Sequence, residues 1–172
     1  MEAIKCINSR RSIRKYKNKK IPANIIKQLI TAGMNAPSAY NSQPWIFILI
    51  KNKKTMQAIV DAKGGSQFIT SAPLVIACCY DETKTPDKFH NIENVSLAAE
   101  NILLAAHSLG LGACYLGAFD PENPKVEKSI SKALKLPKNI HLVCILSVGY
   151  PDEIPKSKKM RKYSEVIKNE HY

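Results

Sequence analysis

Residues 36–50 read APSAYNSQPWIFILI, and the character of the chain changes halfway through them. Two prolines, Pro37 and Pro44, bracket a run of hydroxyl and amide side chains, and Trp45, the single tryptophan, then opens six apolar residues. Upstream, IPANIIKQLITAGMNA (21–36) sets Ile25, Ile26, Leu29, Ile30 and Gly33 at helical spacing. Pro22 suits the first turn of that helix, and Gly33 and Pro37 are expected to close it. The order is therefore helix, polar loop, strand. WIFILI (45–50) carries bulky residues on both of its faces and is expected to be buried on both sides.

The same pattern extends in both directions. EAIKCI (2–7) is a short amphipathic segment, and KTMQAIVDA (54–62) reads as a helix stopped by Gly64-Gly65. APLVIACCY (72–80) is a second buried strand, and the polar stretch 81–91, with Pro86, is expected to be a loop. NIENVSLAAENILLAAHSLGLG (91–112) is the longest helical pattern, stopped by Gly110 and Gly112. Its second half is apolar almost all round, which suits a central helix or a subunit interface. ACYLGAF (113–119) fits a strand end or a loop, PKVEKSISKALKL (124–136) a surface helix, and HLVCILSVGY (141–150) a third buried strand. Helices and strands intermix without regular βα alternation, so the fold class is α+β. One domain over 1–152 is expected, with 153–172 as a charged extension that has no core of its own.

Composition narrows the function. The chain has 172 residues, 45% of them hydrophobic, enough for a sizeable core. No run approaches the roughly 18 apolar residues of a membrane span, and the start has no secretory pattern, so a cytoplasmic protein is expected. The five cysteines show no metal or disulfide spacing and read as structural thiols. The formal charge is +12, with lysine clusters at 17–20, 51–54 and 156–162. Nucleic acid, a solvated surface and an anionic small ligand all fit that charge. His107 lies on the apolar helix and reads as a core residue rather than a catalyst. Nucleophile elbow, paired carboxylates and metal cluster are all missing, so an enzyme built on this chain takes its reactivity from a cofactor.

Four segments could carry a ligand. RRSIR (10–14) combines guanidinium forks with a hydroxyl, which suits a phosphate dianion. The polar loop 36–44 offers stiff, directional donors and acceptors for a flat heteroaromatic ring. In LGLGACYLGAF (109–119), Gly117 has no helix-stopping role and permits close backbone approach to a ligand. PKSKKMRK (155–162) supplies Lys156 and Lys158, which complete an anion pocket if they lie beside RRSIR.

Taken together, RRSIRKY, AGMNAPSAYNSQPWIFILI, SAPLVIACC, LGLGACYLGAF and SVGYP…PKSK resemble, in order and spacing, the nitroreductase family of FMN-dependent NAD(P)H oxidoreductases. The resemblance covers nearly the whole chain. It implies an α+β fold with a mainly antiparallel central sheet between helices, and an intertwined homodimer with FMN at the interface. It also implies ribityl-phosphate contacts from Arg10, Ser12 and Arg14, joined by Lys156 and Lys158, with Arg11 of the same motif lending a backbone or ribityl contact. Pro37, Ser38 and Asn41 of the partner chain would flank the isoalloxazine ring. Gln67 would meet the pyrimidine edge, and the Leu116-Gly117 backbone would approach flavin N5. NADH or NADPH would give hydride to the flavin in a ping-pong cycle, and a nitroaromatic, quinone or similar small oxidant would then be reduced. Lysine stands at 158 where many relatives have arginine, which makes that contact a point charge rather than a fork. Alternatives within the fold are flavin fragmentation, dehalogenation and flavin binding or sensing without turnover. A basic nucleic-acid-binding protein is the rival from another class.

Overall fold

The computed structural model describes residues 1–85 and 89–171; Pro86, in the expected loop 81–91, lies outside them. Six helices are present among these residues: α1 (Ala3–Ser9), α2 (Ala23–Met34), α3 (Lys53–Lys63), α4 (Asn91–Ser108), α5 (Lys125–Ala133) and α6 (Tyr163–Val166). Four strands, β1 (Trp45–Ile50), β2 (Leu74–Asp81), β3 (Gly112–Gly117) and β4 (Ile140–Gly149), form one antiparallel sheet in the order β1-β2-β4-β3.

The sheet is central because its middle strands are apolar on both faces. Side chains alternate along β2, so Leu74, Ile76 and Cys78 pack with Leu29 of α2 and Ile102 of α4. Val75, Ala77 and Cys79 pack on the other face with Met56 and Ile59 of α3 and Ile130 of α5. Helices thus cover both faces, as the α+β expectation requires. All five cysteines are free and buried, and Cys78, Cys79 and Cys144 lie within this packing. Among the described residues no helix is long and apolar enough to cross a membrane.

Four expectations change in detail. WIFILI packs on both faces, Trp45 and Phe47 in one cluster and Ile48 and Ile50 in the other, but its burial is incomplete: β1 is an edge strand paired only with β2, and Ile46 and Leu49 are 39% and 44% exposed. Residues 112–117 are a full strand, so the sheet has four strands rather than three. Gly33 lies inside α2 rather than after it, and a Cβ there would stand 2.9 Å from Ile102 Cδ1 and 3.0 Å from Phe47 Cζ. It marks the closest approach of α2 to α4 and the sheet. His107 is half-buried rather than core, with Nε2 2.7 Å from Ser9 Oγ.

The chain after β4 has no core. Every residue from 154 to 171 is exposed, including Ile154 and Tyr163, and α6 has only four residues.

Candidate functional site

RRSIR is held against the β3 edge by backbone and by one buried phenol. Ser12 bridges Ala113 in parallel, Ile13 N donates to Ala113 O at 3.0 Å, and Tyr16 bridges Pro151. Tyr16 is buried; its hydroxyl donates to Ile13 O and lies 2.8 Å from Ser147 Oγ. Burial pushes the Tyr16 phenol well above its ordinary pKa, so it stays a neutral clamp. Glu153 fixes the outer side: its Oε1 accepts from the backbone N–H groups of Arg14 and, at 3.1 Å, Lys15.

Beside this segment a cleft of about 260 Å³ opens, lined by Arg14, Lys63, Ser66, Phe68, Cys114, Tyr115 and Leu116. The Arg14 guanidinium carbon stands 5.9 Å from the centre of the Phe68 ring. Lys63, in the last turn of α3, donates from Nζ to Gly117 O at 2.6 Å. Partial burial lowers its pKa, because desolvation disfavours the ammonium. Burial raises the Cys114 thiol, opposed by the Arg14 charge and a hydrogen bond with Ser12. At Gly117 no atom lies within 4 Å of the place a Cβ would occupy, so the strand end is open to a ligand.

The remaining expected residues fall into three groups. Arg10, Arg11 and Gln67 are near the cleft but engaged elsewhere. Arg10 Nε lies 3.6 Å from Glu100 Oε1 on α4, and Arg11 Nη1 donates to the Asn8 and Arg10 carbonyls at the end of α1. The Gln67 amide donates to Gln57 Oε1 at 3.2 Å, although its neighbours Ser66 and Phe68 line the cleft. Lys156 and Lys158 follow Glu153 by three and five residues and are exposed. Tethering at Glu153 keeps their backbone within about 10 and 17 Å of it, at about 3.4 Å per residue.

Pro37, Ser38 and Asn41 form the third group, and they are not at this cleft. Their loop leads into β1, whereas Ser12, Cys114 and Leu116 belong to the β3 edge, three strand spacings away in the sheet order. That is about 14 Å across the sheet. Much of the loop's polarity serves the loop itself. Ser38 Oγ accepts from Gln43 N at 3.0 Å, and the buried Asn94 of α4 accepts from Ala39 N at 3.0 Å. Tyr40, Asn41 and Gln43 all take positive φ, an unusual concentration outside glycine.

Sequence reasoning missed Lys63, Ser66, Phe68 and Glu153. Lys63 had a signal, since it precedes the Gly64-Gly65 stop and so had to sit at a helix end. Glu153 had none, because its role is to accept from backbone N–H groups that no side-chain pattern reveals. The described residues hold no cluster of three or more histidine, cysteine or acidic residues arranged for a metal ion.

Comparison with known proteins shows the family of the chain. The profile of the nitroreductase family matches residues 7–83 and 61–150. A Methanothermobacter thermautotrophicus protein, provisionally named an NADH dehydrogenase/NAD(P)H nitroreductase, is 33% identical over 160 residues, covering 93% of this chain and 83% of its own. The solved structure of an FMN-dependent nitroreductase from Clostridium difficile R20291 superimposes with a TM-score of 0.86 at 31% identity, covering 98% of this chain and 99% of that one. An iodotyrosine deiodinase from Thermotoga neapolitana is 28% identical over 183 residues, covering 92% of this chain and 91% of its own. The matched motifs and the fold they build agree: this chain belongs to the nitroreductase family.

Proposed function

We propose that this protein is an FMN-dependent NAD(P)H oxidoreductase acting on nitroaromatics, quinones or similar small oxidants. The observation that carries the reading is a cleft lined by Arg14, Lys63 and Leu116, with the uncovered strand end at Gly117 next to Leu116 and the Ser12 segment bridged to the same strand. This donor set fits a flavin phosphate and ring: cations and a hydroxyl for the anion, and uncovered backbone beside Leu116-Gly117 for a flat face.

When bound, FMN supplies a carrier that accepts hydride at N5 from NAD(P)H and returns reducing equivalents to an oxidant in a second half-reaction. The chain's own residues bind and orient. Arg10, Ser12, Arg14, Lys156 and Lys158 meet the phosphate, with Arg11 bracing the segment from the end of α1. Gln67 turns from Gln57 to the pyrimidine edge. Lys63 and Arg14 keep the cleft at positive potential, which favours anionic ligands and reduced, negatively charged states. No side chain is assigned as an acid or base.

The site is completed by a second copy. Pro37, Ser38 and Asn41 lie at the far edge of their own sheet, so their proposed role beside the ring is exercised in the partner's site. Exposed apolar residues on α1 and α4 (Ile4, Ile7 and Leu97) and the coreless extension 153–172 supply surface for such a homodimer.

The purified protein is expected to be yellow, and its flavin absorbance to bleach when NADH or NADPH is added without oxygen. A colourless protein that takes up no FMN overturns the reading. Arg10→Ala is expected to weaken FMN binding about 10- to 150-fold, the equivalent of one charged hydrogen bond of about 1.5–3 kcal/mol. Unchanged affinity by flavin fluorescence titration removes Arg10 from the phosphate site. Similarity to an iodotyrosine deiodinase favours reductive dehalogenation as a second reading. Iodide release from an iodinated phenol by the reduced protein, without reduction of quinone or nitroarene, would put that reading first.

A further inference from the structure

Two of the three lysine clusters in the sequence, 17–20 and 51–54, are more than thirty residues apart, and the fold brings them to a single concavity. It encloses about 270 Å³ and shares no lining residue with the Arg14 cleft. Its floor is apolar, with Ile21, Ile26 and Leu74 buried and Pro73 half-buried. Its rim carries Lys19, Lys20, Lys51 and Lys53, and no acidic side chain lines it.

Two of these cations are held in place and two are free to act. Lys53 Nζ donates to the Thr70 and Ala72 carbonyls at 2.7 and 2.9 Å, and Lys19 Nζ lies 4.2 Å over the Tyr150 ring. Lys20 and Lys51 have no hydrogen bond or ion pair from their ammonium groups among the described residues. Four like charges around one hollow repel each other and raise the local potential. An anion relieves that repulsion, and the apolar floor rewards an anion with a hydrophobic body.

We infer that this pocket is a second binding site, for a small amphiphilic anion: a phosphate, sulfonate or carboxylate carried on a compact aromatic or alkyl group. Such a ligand lays its apolar part on Ile21, Ile26 and Leu74 and its charge between Lys20 and Lys51. Concavity distinguishes this from a general basic surface. A polyanion such as nucleic acid needs an extended track of charge rather than one compact hollow.

The test is a titration of the purified full-length protein with phenyl phosphate, followed by the methyl NMR signals of isoleucine and leucine. Ile21, Ile26 and Leu74 are expected to shift along one saturating curve. Lys20→Ala combined with Lys51→Ala is expected to weaken binding about tenfold or more, since two charged contacts are lost. Flavin content and NAD(P)H oxidation should be unchanged by that double substitution, which touches nothing in the Arg14 cleft. Retained methyl shifts in a protein that takes up no flavin would support the pocket while defeating the oxidoreductase reading.

Three results overturn the inference. Phenyl phosphate that leaves the three methyl signals unmoved while shifting Ile13 or Leu116 assigns the anion to the other cleft. Inorganic phosphate binding as tightly as phenyl phosphate reduces the pocket to a charged patch. A 20-nucleotide single strand that shifts these methyls where phenyl phosphate does not makes the lysines a nucleic-acid contact.

Discussion

Deleting residues 153–172 is expected to lower flavin affinity more than tenfold and to convert the proposed dimer to monomers, while leaving the fold intact. The fold should survive because residues 154–171 are all exposed, so removing them uncovers no core. Flavin binding should not, because Glu153 orders the segment proposed to hold the phosphate. Its carboxylate accepts from the backbone of Arg14 and Lys15, and hydrogen bonds to a charged acceptor contribute about 1.5–3 kcal/mol each. Lys156 and Lys158 leave with it. Circular dichroism, sedimentation and flavin titration of the truncated chain read the three effects separately. Glu153→Gln, with the extension kept, isolates the carboxylate: it should lower flavin affinity without changing the assembly. A truncated protein that remains a fully flavinated dimer would defeat both the tethering argument and the interface role of the extension.

The sequence carried the fold further than it carried the site, for a reason visible in particular residues. Helical spacing in 21–36 and the apolar run in 72–80 arise from burial against the chain itself, so periodicity reports them directly. They are α2 and β2. The failures come where a strand lies at the edge of the sheet or where backbone does the work. WIFILI is apolar on both faces, yet Ile46 and Leu49 remain exposed on an edge strand. Gly33 reads as a helix stop because composition cannot separate a glycine that ends a helix from one whose place a neighbour approaches, Ile102 Cδ1 standing 2.9 Å from where a Cβ would be. Within the site, RRSIR and Gly117 were legible as residue types suited to an anion and to close approach. Lys63 and Glu153 were not, since one reaches a carbonyl across 54 residues and the other reaches amides across 139 and 138. Pro37 and Ser38 show the opposite case: the resemblance links them to the flavin, whereas the sheet order sets them at the far edge of their own chain.

Gly112→Ala is expected to lower both stability and flavin affinity. An added Cβ would stand 2.6 Å from Ile13 Cγ1, 2.7 Å from Ile13 Cβ and 2.8 Å from Ile13 Cγ2. These are not the far end of a flexible side chain. Ile13 is β-branched and stiff at χ1, is buried, and is pinned by its own N–H to Ala113 O at 3.0 Å. The methyl therefore either strains the contact or pushes the Ser12–Ile13 segment off β3. Overpacking of this kind costs about 1–3 kcal/mol. For a chain of this length that is a fall in Tm of about 2–12 °C. If the segment moves, Ser12 and Arg14 move with it, so flavin affinity falls by a larger factor than the loss of one methyl's space suggests. Ile13→Ala in the same chain removes both Cγ atoms from the clash. The double variant should then be less destabilised than the sum of the two single variants, by at least about 0.5 kcal/mol. Thermal melts with and without FMN provide both readouts. An alanine variant with wild-type Tm and wild-type flavin retention would mean that the 10–16 segment is free to shift without cost. Tight docking of that segment on β3 could then no longer be what sets the geometry of the phosphate site.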